Sequence, residues 1–449
     1  MNTPICDFVR KYAESDTLRL HMPGHKGAGG QNELLDITEI SGADSLYEAD
    51  GIISDSERNA GDLFGARTFY SAEGSSLCIR AMLYLVSTYA AECGQKPLIA
   101  AGRNAHKTFV SAAALLDFDV DWLIPRDASY LSCPIDAEYV RNYLDSCQSQ
   151  PTALYLTSPD YLGNTVDMAA ISSICHERGV LLVVDNAHGA YLKFLPESHH
   201  PIDLGADMCC DSAHKTLPAL TGAAYLHVSP LCPDKFRRLA TQNARHALSL
   251  FGSTSPSYLI LASLDRVNSV LSSGYRESIS SLADNIDKLK SKLLSLGYAL
   301  VGDEPLKITL APKSYGYTGC ELAEYLRSNG IEPEFCDSDH LVLMFTPSLC
   351  TDAVPRLQAV LADLPRREAV ESVPPAACVP RRAMSIRAAV MSPCEVIDVC
   401  DCEGRVAAVV TVGCPPAVPV VVSGEVIDES AVAAMNYYGI DKCSVVKIL

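Results

Sequence analysis

The chain has 449 residues, 48% hydrophobic and 20% charged, with a formal net charge of −18. This length and balance predict a globular protein of two or three domains with real cores. The acidic excess argues against a nucleic-acid partner, which would favour a basic face. Met1 to Leu20 contains no apolar stretch of signal-peptide length, so no export signal is read. The longest apolar run, Val406 to Val422, is punctuated by Gly413, Pro415, Pro416 and Pro419, which excludes a spanning helix. A cytoplasmic location with no membrane partner is expected. The 18 cysteines are scattered, without a CxxC pair or zinc-ligand spacing, and read as reduced apolar fillers; no metal is expected.

In chain order, Gly74-Ser75-Ser76 precedes an apolar helical run, Leu77 to Leu85. A Gly-Ser-Ser turn there is either a good N-cap or a phosphate cradle of free N–H groups and hydroxyls. From Pro97 to Val228 short apolar runs alternate with helical stretches. Pro97-Leu-Ile-Ala is followed by Lys107–Leu116, Ala153-Leu-Tyr-Leu by Met168–Arg178, and then Val180–Val184 begins. Such alternation predicts an α/β fold with a mainly parallel sheet covered on both faces. Ligands gather at the carboxyl ends of its strands. Asn104–His106, Thr157–Asp160, Asp185–His188 and Ser212–Lys215 all follow apolar runs and could share one crevice. A long helical stretch, Pro256 to Leu296, comes next. A small α+β unit follows, with strands at Lys307–Leu310, Ile331–Phe335 and Leu341–Phe345 and helices at Gly319–Ser328 and Ala353–Leu364. Residues Glu368–Val379 read as a linker. A mostly β C-terminal piece closes the chain, with strand-like Val406–Val412 and Val418–Val422.

The chemistry concentrates at two strand ends. Lys215 lies in Asp211-Ser-Ala-His-Lys-Thr after an apolar run, among small and hydroxyl residues. Burial there would lower its pKa and make it nucleophilic. Asp185 ends an earlier apolar run; alone, it would be a loop N-cap or a metal ligand, but no carboxylate cluster accompanies it. A lysine on a loop after a buried strand, with a carboxylate at the end of an earlier strand, suits pyridoxal 5'-phosphate. Lys215 would condense with its aldehyde, and Asp185 would keep the pyridine nitrogen protonated. His188 is open between bonding that carboxylate, facing the cofactor and a structural role. His106 could lie against the pyridine face, or be a packed loop residue. His214 could touch the phosphate or supply a proton.

Longer segments carry a resemblance. His21-Met-Pro-Gly-His-Lys-Gly, Asp36-Ile-Thr-Glu-Ile-Ser-Gly-Ala-Asp-Ser-Leu, Leu63-Phe-Gly-Ala, Gly74-Ser-Ser and Arg103-Asn-Ala-His-Lys-Thr are followed by Val184-Asp-Asn-Ala-His-Gly-Ala. Ser212-Ala-His-Lys-Thr-Leu-Pro-Ala-Leu-Thr, Ser253-Thr-Ser-Pro-Ser-Tyr and Pro415-Pro-Ala-Val-Pro complete the set. Together they resemble the short form of the ornithine/lysine/arginine decarboxylase family of fold-type-I pyridoxal-phosphate enzymes. The resemblance implies that Lys215 anchors the cofactor, Asp185 pairs with the ring nitrogen and His106 stacks on the ring. It places Ser75, Ser76, Ser212 and His214 on the phosphate side. Thr254 and Ser255 would reach the phosphate of a neighbouring subunit in a homodimer or higher homo-oligomer, and His25 and Lys26 would lie near that interface.

The implied organisation is an N-terminal interface segment (1–60), a large cofactor-binding domain (61–255), a helix with the small α+β domain (256–367) and a C-terminal decarboxylase-type domain (380–449). Two departures stand out. The family often has Asp-Glu-Ala-His where this chain has Asp185-Asn186-Ala187-His188. The loop Ser71-Ala-Glu-Gly also differs from the usual Asn-Gly type. The expected activity is removal of the α-carboxylate of arginine, lysine or ornithine. The substrate's side-chain cation would need an acidic partner, and none of the many acids stands out. The alternatives are an aminotransferase or lyase of the same fold, or a degenerate non-catalytic relative.

Overall fold

A computed structural model describes the chain except residues 378–379, 411, 413–415 and 448–449. The end of the expected linker, part of Val406–Val412, the Gly413 break and Pro415 of the C-terminal motif therefore lie outside the described residues. The chain divides into two compact units: residues 1–99, 144–156 and 168–278, and residues 100–143, 157–167 and 279–449.

The main sheet has seven strands: β1 (Arg67–Ser71), β2 (Leu98–Gly102), β3 (Asp119–Leu123), β4 (Ala153–Thr157), β5 (Leu181–Asp185), β6 (Met208–Asp211) and β7 (Ala224–Val228). Their order is β1-β7-β6-β5-β4-β2-β3. Every residue of β5, β6 and β7 is buried, which is why these segments read as unbroken apolar runs and not as alternating ones. β4 and β5 are neighbours joined through the helix Met168–Glu177, the kind of crossover that parallel pairing requires. β5 and β6 pair in parallel with Asp185 opposite Cys210, whereas β7 runs antiparallel to β6 and β1 antiparallel to β7. The mainly parallel α/β sheet expected from the alternation is present.

In the first unit the helix Gly74–Glu92 buries Leu77, Met82, Leu83, Leu85 and Val86. The stretch expected as one helix from Pro256 to Leu296 is two, Tyr258–Leu271 and Tyr275–Ser295. Ser272-Ser273-Gly274 breaks it, with Gly274 at a φ of +72° that only glycine adopts at low cost.

The second unit holds an antiparallel sheet of β8 (Leu300–Val301), β9 (Lys307–Leu310), β10 (Phe335–Cys336) and β11 (Leu341–Met344), ordered β10-β11-β9-β8. The helix Gly319–Ser328 begins at a capping box, Thr318 with Glu321. Strand β10 is shorter than the expected Ile331–Phe335, because Pro333 has no N–H to donate and pairing starts only where Glu334 N reaches Val342 O.

The C-terminal piece carries an antiparallel pair, β12 (Cys394–Asp398) with β13 (Lys442–Val446), together with the helices Ile386–Val390 and Glu429–Tyr437. Val399, Ala407, Ile427, Ala431, Met435 and Val445 form its core. Val406 and Ala407 make only isolated bridges, and Val418–Val422 is buried without being a strand. Pro419 lacks a ladder donor, and the carbonyls of Pro419 and Val420 accept instead from the Arg103 guanidinium at 3.2 and 3.0 Å. Arg103 also pairs with Glu425 at 3.1 Å, the side chains being 7% and 9% exposed, and lies 5.3 Å over the Trp122 ring. The cysteines that the structure describes as free include Cys78, Cys175, Cys209 and Cys210, all buried. No described helix is long and apolar enough to cross a membrane.

Candidate active site

The parallel register of β5 and β6 brings two chain segments to the same sheet edge in the first unit. β5 delivers Asp185, 2% exposed, whose Oδ2 accepts from the Tyr155 hydroxyl at 3.2 Å and whose Oδ1 accepts from Ala187 N at 3.2 Å. Burial raises its pKa, opposed by the charge of Lys215 and by these hydrogen bonds. A buried carboxylate in this state gains most from a cation placed against it.

β6 ends at Asp211 and turns through Ser212 into the single helical turn Ala213–Thr216. That turn sets Lys215 Nζ 3.1 Å from His188 Nε2. His188 itself is held by the loop that leaves β5, so the lysine of one strand end meets the histidine of the other.

The opposite wall is the start of the helix Gly74–Glu92. Ser212 Oγ donates to Ser75 Oγ at 2.7 Å, and Gly74 N donates to Gly222 O at 2.7 Å. Gly74 sits at φ +74°, and a Cβ built there would find nothing nearer than His214 Cε1 at 4.0 Å. A glycine is thus required by the backbone, and its missing side chain leaves room for a ligand over the first turn of the helix. The His214 ring donates from Nδ1 to Ala223 O at 2.9 Å. Burial lowers its pKa, so at neutral pH the ring is neutral and its one proton is committed to that carbonyl.

Beneath the site lies a network that sequence reasoning did not find. Asp211 Oδ1 accepts from Asn186 Nδ2 at 2.6 Å, and its Oδ2 accepts from His200 Nε2 at 3.0 Å and His227 Nε2 at 3.2 Å. Burial alone would raise the Asp211 pKa; the His200 and His227 rings outweigh it and hold the carboxyl well below its ordinary range. Asn186, the departure noted in the sequence, is therefore the residue that ties the Asp185 loop to the root of the Lys215 loop. The only signal for this network was the asparagine itself. Tyr155 gave no signal, being one more buried residue within β4.

The structure gathers Lys215, Asp185, His188, Ser75, Ser212 and His214 in the first unit, with Ser76 in the same first helical turn. His106 belongs to the second unit. There it caps the helix Lys107–Leu116, its Nδ1 accepting from Thr108 N at 3.1 Å. Thr254 and Ser255 are exposed on a turn whose Ser253 N donates to Glu73 Oε1 at 2.6 Å, beside the Gly74 cradle.

A lysine, a buried acid and a helix N-terminus thus lie at the strand ends of a parallel-dominated α/β sheet. Solved structures with this fold include lysine decarboxylase from Francisella novicida (TM-score 0.79, 17% identity, 99% of this chain and 81% of that one). Alanine–glyoxylate aminotransferase from Nostoc sp. shares the fold more distantly (TM-score 0.54, 16% identity, 69% of this chain and 85% of that one). Residues 3–301 match the Orn/Lys/Arg decarboxylase major domain, and 365–442 match the Orn/Lys/Arg decarboxylase C-terminal domain. Arginine decarboxylase from Halalkalibacterium halodurans is 30% identical over 96% of this chain and 92% of its own length. That of Bacillus subtilis is 28% identical over the same shares. The chain belongs to the Orn/Lys/Arg decarboxylase family, and is a decarboxylase.

Proposed function

We propose that the protein is a pyridoxal-phosphate-dependent decarboxylase of a basic amino acid, with arginine the first candidate. The observation that carries this reading is the Lys215–His188 pair beside the buried Asp185, with His214, one residue before Lys215, nearest the side-chain position that Gly74 leaves open. These residues fit the cofactor. Lys215 would hold its aldehyde, Asp185 its ring nitrogen, and Ser75, Ser76, Ser212 and the helix N-terminus its phosphate. His214 would line the phosphate side and His188 would orient Lys215. When bound, the cofactor supplies an electron sink for the bond to the departing carboxylate.

The protein's own residues do the rest. Asp185, its charge fixed by Tyr155 and Ala187 N, stabilises the protonated ring nitrogen, the largest electrostatic contribution of the site. Lys215 returns the proton to the substrate's Cα, because the His214 ring proton is already given to Ala223 O. The exposed Thr254–Ser255 turn suits a contact with the phosphate of a second copy, making the working unit a homodimer or larger. Residues 61–255 would bind the cofactor, with 1–60 at the interface, 256–367 as the small domain and 380–449 as the C-terminal domain. A cytoplasmic site of action and a role in amine synthesis follow from this reading.

Arginine comes first because the relatives of similar length include the arginine decarboxylases of Halalkalibacterium halodurans and Bacillus subtilis. The test is to load the purified chain with pyridoxal phosphate, supply arginine, lysine and ornithine separately, and identify the amine and the carbon dioxide released. Agmatine from arginine is the expected product. Release of a keto acid without carbon dioxide, or a chain that stays colourless on loading, refutes the proposal.

A further inference from the structure

The hairpin between β10 and β11 carries Asp337, Asp339 and His340. Asp337 Oδ1 accepts from Asp339 N and His340 N at 2.7 and 2.6 Å, which closes the turn. Asp339 Oδ1 accepts from the Tyr437 hydroxyl at 2.7 Å and forms an ion pair with Lys313 Nζ. Each carboxylate thus spends one oxygen on the protein. The other oxygens, Asp337 Oδ2 and Asp339 Oδ2, and the ring atom His340 Nδ1 are buried with no hydrogen-bond partner. Asp339 is 6% exposed. Native interiors rarely leave such lone pairs unused, and three at one turn call for a common partner. One donor atom from each of the three residues lies within 4.8 Å of the other two.

We propose that Asp337, Asp339 and His340 bind a divalent transition-metal ion of the Mn2+ or Zn2+ kind. Two carboxylate oxygens and one imidazole nitrogen suit that class better than the all-oxygen shell of Ca2+ or Mg2+. Donors around a tetrahedral ion at ~2.1 Å stand roughly 3.4 Å apart, so the turn needs only a small contraction to close on it. Lys313 neutralises one of the two carboxylate charges and leaves a net negative charge for the cation. The Asp337 and His340 side chains are 12% and 20% exposed, which leaves an entry path and room for water ligands. The buried group His200, Cys209 and Asp211 has comparable spacing, but both Asp211 oxygens are already occupied by His200, His227 and Asn186 donors. Of these two groups among the described residues, the hairpin is the one with lone pairs to offer. Through Asp339 the ion would also brace the C-terminal helix Glu429–Tyr437, since Tyr437 holds the same carboxylate.

The experiment uses the full, cofactor-loaded chain stripped of metal with a chelator and titrated with Mn2+ and Zn2+ separately. Binding is followed by electron paramagnetic resonance for Mn2+ and by calorimetry for Zn2+. One ion per chain is expected, with nitrogen coupling to bound Mn2+ from the imidazole and a higher thermal midpoint. Asp337→Asn and His340→Ala should each weaken binding by more than about 10-fold, the loss found even for outer partners of metal ligands. Both should keep the wild-type cofactor absorbance, which separates this site from the catalytic one. Absence of stoichiometric binding by either ion, binding unchanged in both variants, or bound Mn2+ without nitrogen coupling overturns the proposal.

Discussion

At Asp185 the protein confines a charge where solvent cannot stabilise it, so its value depends on what is placed opposite. Asp185→Asn keeps the shape and removes the charge. The expected result is a folded chain whose decarboxylation rate falls by about 10³-fold, on the scale of a lost preorganised electrostatic partner, measured as product formed per cofactor bound. Tyr155→Phe removes one donor to the same carboxylate and should cost about 1 kcal/mol of stability, with a smaller loss of rate, read by denaturant unfolding and turnover together. The Asp211 network predicts an acid response. Burial lowers the His227 pKa below its ordinary 6.5, and Asp211 is held below its ordinary 3.8. In both cases the unfolded chain binds protons more readily. Stability is therefore complete above about pH 6.5, falls first as unfolded His227 protonates, and falls again below about pH 4 as unfolded Asp211 does. Urea midpoints taken at pH 8, 5.5 and 4 should decline in that order, and His227→Gln should shrink the first decline, to which His214, its pKa also lowered by burial, still contributes, while keeping the second.

At the scale of elements, the site is made by loops that glycine allows to pass close together. A Cβ on Gly189 would lie 2.1 Å from Asn186 Oδ1 and 2.8 Å from Leu192 Cδ1. Gly189→Ala should cost roughly 1–3 kcal/mol by overpacking and push Asn186 away from Asp211, seen as a lower melting temperature with weaker cofactor retention. Gly74→Ala acts differently: its left-handed backbone costs about 1–2 kcal/mol for a residue with a Cβ, and the methyl enters the cradle. Weaker cofactor binding, measured by dialysis, should exceed its effect on melting. The strand ends bearing Asp185 and Lys215 were legible because a fully buried strand is an unbroken apolar run, and polar residues just past it are conspicuous. The helix Lys107–Leu116 was legible as the helical stretch alternating with the apolar run Pro97-Leu-Ile-Ala, although its cap, His106, was not read as one. The Asp211 network was not legible, since its His200, His227 and Asn186 partners lie 11, 16 and 25 residues away and meet only in the folded chain. The break at Ser272-Ser273-Gly274 was also missed, because apolar spacing resumes beyond it with the same period.

At the scale of the whole chain, residues far apart in sequence are fastened by few but well-buried groups. Arg103 and Glu425 are 322 positions apart, and the guanidinium also serves two carbonyls of the segment that failed to become a strand. Arg103→Ala leaves Glu425 buried without its cation and should cost about 3–5 kcal/mol. The double change with Glu425→Ala should cost less than the sum of the two single changes, measured by calorimetry with limited proteolysis of the C-terminal piece as a second reading. The sulfurs offer a further consequence. Cys78, Cys209 and Cys210 are fully buried, and burial raises their thiol pKa values, so in the closed chain they neither reach nor attack an alkylating reagent. Each becomes reactive only when its part of the sheet opens. The order in which they acquire mass under slow alkylation would give the protein an internal clock, timing how often the floor of the catalytic crevice comes apart.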